Sequence, residues 1–186
     1  MEAFSDGVIA ILITIMVLDL KTPAGTDLQA LRPLVPTLLS YLLSYIYIGI
    51  YWNNHHHMLQ AAHRVTGGVL WANLHLLFWI SLLPFATRWS SEAHFTPLPT
   101  AMYGVILLMS GAAYLILQKC IIAAQREDSK LAVAVGRDWK GKLSLILYAT
   151  AVPLAFASPS MAAAVYVVVA LIWLIPDRRI EKRLNS

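Results

Sequence analysis

The feature that most constrains this chain is a succession of long apolar stretches with very few charges inside them. Six segments read this way: about 3–20, 34–58, 69–89, 101–124, 142–157 and 159–175. A helix needs roughly 20 predominantly apolar residues to cross the hydrocarbon core, and these segments approach that length, the last two being the shortest. With 59% of 186 residues hydrophobic, a water-soluble fold of this length could not hide so much apolar surface. The expected fold is therefore an all-α membrane protein, one domain over residues 1–186 with six transmembrane helices. The breaks "KTPAGTD", "HRVTGG", "EAHFTPLP", "REDSKLAVAVGRDWKGK" and "SPS" carry the Pro, Gly and polar residues that end helices. The first segment has no Lys or Arg ahead of it and no small-x-small cleavage site after Leu20, so it is expected to persist as a helix rather than act as a signal peptide.

Charge placement sets the expected orientation. The loops after the second and fourth spans, with the C-terminal tail, hold eleven basic residues: Arg64, Lys119, Arg126, Lys130, Arg137, Lys140, Lys142, Arg178, Arg179, Lys182 and Arg183. The opposite side holds three, Lys21, Arg32 and Arg88. The positive-inside bias puts both termini in the cytoplasm, in agreement with an even number of spans. It also accounts for the net charge of +4 without a nucleic-acid partner, because the charges lie between apolar runs rather than in a basic groove. The single cysteine, Cys120, excludes an internal disulfide and a Cys-based metal cage, and reads as a buried structural thiol. Trp71, Trp89 and Trp173 fall near span ends, where interfacial anchoring is usual; Trp52 and Trp79 lie deeper and need packing partners. The loop 125–141 is expected to hold a short amphipathic helix, with Leu131, Val133 and Val135 between charges.

Ionisable groups inside membrane helices are costly unless paired, so each is a functional candidate. They are few: Asp6 at the base of the first span, Asp19 at its far end, His55, His56 and His57 at the end of the second, and His75, with the polar Asn73, in the third. Three consecutive histidines suggest a metal, but helical neighbours are about 100° apart, so at most one or two of them can face a common point. The i, i+3 and i, i+4 partners on that helix are Asn53 and Gln60, which are poor metal ligands, so no metal is expected. The orientation instead puts Ser5, Asp6, His55 and Asn73 on one side of the membrane, where Ser5 and Asp6 could hydrogen-bond to His55 and Asn73 across helices. The plainer alternative is an N-cap, with Ser5 or Asp6 satisfying free amides of the first turn.

Taken together, "EAFSDGVIAILITIMVLDL", "YWNNHHH" and "LWANLHLLFWISLLPFATRW" resemble the prokaryotic branch of the transmembrane protein 175 potassium channels. Phe4, Ser5 and Asp6, then Trp52 and His55, then Asn73 match the family motifs in order and spacing. An arginine that the family usually carries four residues before the phenylalanine would here precede Met1. The resemblance implies a homotetramer whose four first helices line a central pore, with a constriction of apolar side chains instead of a carbonyl filter. Carried over, the constriction is Ile11, Ile15 and Leu18, with Thr14 as a hydroxyl layer. These four share one stripe at i, i+3, i+4 and i+7, a pattern that a lipid-facing or packed face shows equally. An apolar ring can gate by dewetting. Asp19 either concentrates cations at the outer mouth or caps the helix.

The expected function is a potassium-permeable cation channel of a bacterial plasma membrane, with no enzyme activity, no cofactor, and potassium ions, lipid and its own copies as partners. No span carries Arg at every third position, so no voltage sensor is expected. The alternative is a proton- or ion-coupled secondary transporter using Asp6 and the histidines as a relay, although the first two spans lack the broken helices such carriers use. A membrane enzyme with a His-bound metal comes third.

Overall fold

The computed structural model describes residues 1–60, 62, 64–125 and 138–174, and among these every regular element is helical. The helices are α1 (Glu2–Leu18), α2 (Val35–Gln60), α3 (Gly67–Ser81), α4 (Leu83–Glu92), α5 (Pro97–Ala124), α6 (Trp139–Ala157) and α7 (Pro159–Leu174). A short 3₁₀ helix, Leu28–Leu34, leads into α2 and is capped by Asp27, whose carboxylate accepts from the Ala30 amide at 3.1 Å. Thr66 caps α3 in the same way, accepting from Val69 N–H at 3.4 Å. Among the described residues, three stretches are long and apolar enough to cross a membrane: Leu28–Gln60, Gly67–Glu92 and Pro97–Ala124. Among the shorter helices, α7 is strongly apolar, and α1 at 17 residues reaches roughly 26 Å at 1.5 Å per residue.

The third expected span is present as one membrane-length stretch, Gly67–Glu92, but the helix within it is interrupted. The segment breaks at Leu82, which ends α3 and serves as the N-cap position of α4, with Pro84 in the first turn. Proline has no N–H to give and its ring collides with the carbonyl four residues back, so the ladder cannot run through. Two stacked helices therefore replace one, and the two halves can hold different neighbours. The amphipathic helix expected within 125–141 falls for the most part on 126–137, outside the described residues, as does the end of the last span beyond Leu174.

The core lies along α5, which is packed by α3, α6 and α7, while α1 sits at the edge against α2, α3 and α4. Much of its centre is polar. Tyr148 Oη donates to Tyr47 Oη at 3.2 Å, and Tyr47 donates to the Tyr166 carbonyl at 2.6 Å. Ser44 Oγ lies 2.6 Å from Thr87 Oγ1 and 2.9 Å from Tyr103 Oη. Thr87 gives its one hydrogen to the Leu83 carbonyl at 2.7 Å, so the protons run Tyr103 to Ser44 to Thr87 to backbone. Each hydroxyl thus finds a partner where none is available from lipid. Tyr166 Oη donates to the Thr100 carbonyl at 3.1 Å and lies directly over Gly104, where a Cβ would collide with it.

Candidate pore helix and its anchors

Two faces of α1 have opposite fates. Ser5, Ile9, Leu12 and Met16, spaced i, i+4, i+7 and i+11, are buried against the protomer. On the other side Ile11, Ile15 and Leu18 are 56%, 47% and 81% exposed, and Thr14 and Phe4 are exposed with them. A helix this apolar all round would normally be indifferent to rotation in a bilayer. The buried face is selected by polar contacts at each end.

At the N-terminal end the contact is a directed hydrogen-bond chain. His55 Nε2 and Asn73 Oδ1 are 2.7 Å apart, and Asn73 Nδ2 donates to Ser5 Oγ at 3.0 Å. Ser5 Oγ in turn donates to the Met1 carbonyl at 3.1 Å. Since the Asn73 oxygen can only accept, His55 carries its proton on Nε2, and the buried Nδ1 is left without a partner. Ser5, His55 and Asn73 are all buried, so α1, α2 and α3 meet through one amide.

Asp6 belongs to a neighbouring group. The expectation that it bonds to His55 or Asn73 is corrected: Asp6 Oδ1 accepts from Trp52 Nε1 at 3.0 Å, on the more exposed side of the same junction. The indole stacks on His56, with centroids 5.7 Å apart, and this is the packing partner Trp52 needed. His56 Nε2 meets the Gln60 amide nitrogen at 2.8 Å, and its Nδ1 lies 3.1 Å from Glu2 Oε1 without hydrogen-bond alignment. Glu2, Asp6 and His56 consequently bring three ligand-capable atoms within 4.8 Å of one another. Spacing along one helix could not reveal this group, because Glu2 and Asp6 come from a different helix than His56. The N-cap alternative is also corrected: the cap position is Met1, with no side-chain cap bond, so Ser5 and Asp6 lie inside the helix and turn outward to other helices. Phe4 stays exposed beside them.

At the C-terminal end α1 stops on Asp19, and its last turn holds no basic residue. A carboxylate at the negative pole of a helix is misplaced unless a cation answers it. The cation comes from α4: Arg88 Nη1 is 3.2 Å from Asp19 Oδ1, and Arg88 Nε donates to Glu92 Oε1 at 3.2 Å. Lys21 Nζ lies 3.8 Å from the same Glu92 oxygen. Sequence reasoning did not pair Arg88 with Asp19; the one available signal was an arginine within an otherwise apolar span. Two further indoles find partners: Trp79 donates to His75 Nε2 one turn back at 2.9 Å, and Trp173 on α7 donates to Ser144 Oγ on α6 at 2.8 Å. Cys120 is half-buried rather than fully enclosed.

The family model described as "Endosomal/lysosomal potassium channel TMEM175" matches residues 1–84, from the start of α1 to Pro84 in the first turn of α4. A protein named potassium channel from Chryseobacterium sp. (strain P1-3) is 53% identical over 186 residues, all of this chain and 97% of its own length. The chain belongs to the TMEM175 family. The fold agrees: the crystal structure of a lysosomal potassium-selective channel TMEM175 homolog from Chamaesiphon minutus superposes with a TM-score of 0.80 at 27% identity, covering 94% of each chain. A more distant TMEM175 relative, named endosomal/lysosomal proton channel, from Gallus gallus, is 34% identical over 103 residues, 49% of this chain and 21% of that protein. The Trp52–Asp6 and Asn73–Ser5 bonds that hold α1 at its N-terminal end lie inside the segment that the TMEM175 family model matches.

Proposed function

We propose that this chain is the subunit of a potassium-permeable cation channel, with six spans, both termini in the cytoplasm, and four copies placing α1 around one axis in a bacterial plasma membrane. The observation that carries the reading is the exposure of Ile11, Ile15 and Leu18 on one stripe, while the opposite stripe and both helix ends are held by the same protomer. An apolar helix held at both ends cannot rotate to suit the lipid, so its free stripe is presented in a defined direction. Branched aliphatic rings on a pore axis select ions by the water they must shed and close by drying. Thr14, on the same stripe, donates to the Ile11 carbonyl at 2.9 Å and leaves its oxygen free to accept one hydration contact between apolar rings. Membership of a family whose named members are ion channels supports this reading over an enzyme or a carrier.

Ile11→Asn tests it. In proteoliposomes loaded with potassium, a carboxamide in the first ring should wet the constriction and raise flux at least several-fold or relax discrimination against sodium. Unchanged flux and selectivity in a correctly assembled protein would remove α1 from the pore. Protons are the second permeant ion to measure, because the relative from Gallus gallus is named a proton channel and Asp6 lies at the inner end of α1. A pH-gradient dye in the same vesicles separates the two ions.

A further inference from the structure

Asp19 ends α1 next to Leu18, the most exposed of the three stripe residues, and its partner Arg88 is well placed to fix that end. On α4, Thr87 and Ser91 form one i, i+4 stripe turned to α2: Thr87 Oγ1 lies 2.6 Å from Ser44 Oγ, and Ser91 Oγ donates to Thr37 Oγ1 at 2.7 Å. Arg88 and Glu92 form the next stripe, one residue round, turned to the end of α1. The guanidinium is thus oriented twice, by Glu92 on its own helix and by the framework that pins α4 to α2. Asn73, which holds the other end of α1, is on α3, so the break at Leu82 separates the two anchors.

We infer that Arg88 is a positioning residue for permeation: through Asp19 it holds the outer end of the pore helix, and so sets the spacing of the Leu18 ring. This rests on the proposal that α1 lines the pore. The charges Lys21, Glu92, Arg88 and Asp19 sum to zero, so Asp19 in this arrangement is a tether and contributes little free negative charge to the mouth.

The test compares Arg88→Gln, Asp19→Asn, the double variant and the exchanged pair Asp19→Arg with Arg88→Asp, reading the potassium-over-sodium permeability ratio from reversal potentials in bilayers. Each single variant should lower the ratio in the same direction by about two- to fivefold, the extent to which one partly exposed ion pair can bias a two-position helix end. The double variant should match the singles rather than add to them, and the exchanged pair should recover most of the wild-type ratio. A mouth that works by charge alone gives a different pattern. There, Arg88→Gln raises and Asp19→Asn lowers low-salt conductance, the double returns to wild type, and differences vanish near 1 M salt where screening acts over about 3 Å. That pattern, or wild-type ratios in both single variants, overturns the inference. Leu18→Ala separates the two levels: no effect on permeation sinks the pore assignment itself, whereas an altered ratio in Leu18→Ala beside unaltered Arg88 variants sinks only the role of Arg88. Elution of each variant as the wild-type oligomer in detergent, with reversal potentials still shifted, distinguishes positioning from loss of assembly.

Discussion

Asn73 is the residue on which the N-terminal junction turns, and its replacement by alanine should be expensive for reasons that can be counted. Two hydrogen bonds vanish, from His55 Nε2 at 2.7 Å and to Ser5 Oγ at 3.0 Å. Interhelical hydrogen bonds within a membrane are worth about 0.6 kcal/mol on average and up to about 1.7. The larger part comes from what is left behind. His55 is fully buried and its Nδ1 has no partner even in the intact protein, so Asn73→Ala strands the whole imidazole, at about 1–3 kcal/mol for a buried unsatisfied group. The expected loss is about 2–4 kcal/mol. Ser5→Ala, which removes the bond from Asn73 and the local one to the Met1 carbonyl but leaves His55 and Asn73 paired, should cost about 1–2 kcal/mol. Reversible unfolding in mixed micelles under added SDS measures both. A double-mutant cycle then tests the wiring: Ser5 and Asn73 should couple by about 0.5–1.5 kcal/mol, while Asp6 and Asn73 should be additive within about 0.5, because Asp6 is bonded to Trp52 instead. Asn73→Ala within about 0.5 kcal/mol of wild type, or stronger coupling of Asn73 to Asp6 than to Ser5, would refute a chain running from His55 through Asn73 to Ser5.

Other consequences can be checked in the same preparations. Trp52→Phe keeps the ring on His56 but removes the N–H, and should cost about 1–2 kcal/mol in the same unfolding assay, as expected for a hydrogen bond to a charged acceptor moderated by its exposed position. Asp6→Ala, which removes the acceptor of that bond, should show nearly the same loss, and the pair should be non-additive; additive losses would mean that the bond does not form. Gly104→Ala drives a methyl into the Tyr166 hydroxyl, so its bond to the Thr100 carbonyl is lost as well, and a loss of about 1–3 kcal/mol is expected, with Tyr166→Phe relieving part of it.

Much of the architecture was legible in the chain because the solvent leaves few options. A long uncharged run has to be a helix in lipid, where every backbone amide must be satisfied within its own segment, and proline and glycine mark where runs stop. That is why the boundaries read for the second and fifth spans differ from α2 and α6 by at most a few residues at either end. The break in the third span was readable in principle, since Pro84 stands in the middle of an otherwise uninterrupted run. The apolar length of the run masked it. Asp6 and His55 stand out because ionisable residues are scarce in such spans, and Ser5 and Asn73 enter as hydrogen-bonding groups at the same end of the bundle.

Partner choice was not legible in the same way. Sequence alone determined that α1 is an apolar helix with polar residues near both ends, and that its Ile11, Ile15 and Leu18 share a stripe. Which stripe is buried, that Asp6 meets Trp52 while Ser5 meets Asn73, and that the cation answering Asp19 is Arg88 some seventy residues away were decided only by packing. The physical reason is that periodicity is a property of one helix, whereas a hydrogen bond between helices depends on their rotation, height and crossing. For a helix apolar on every side, local sequence leaves rotation nearly free in energy, and a few long-range polar contacts settle it.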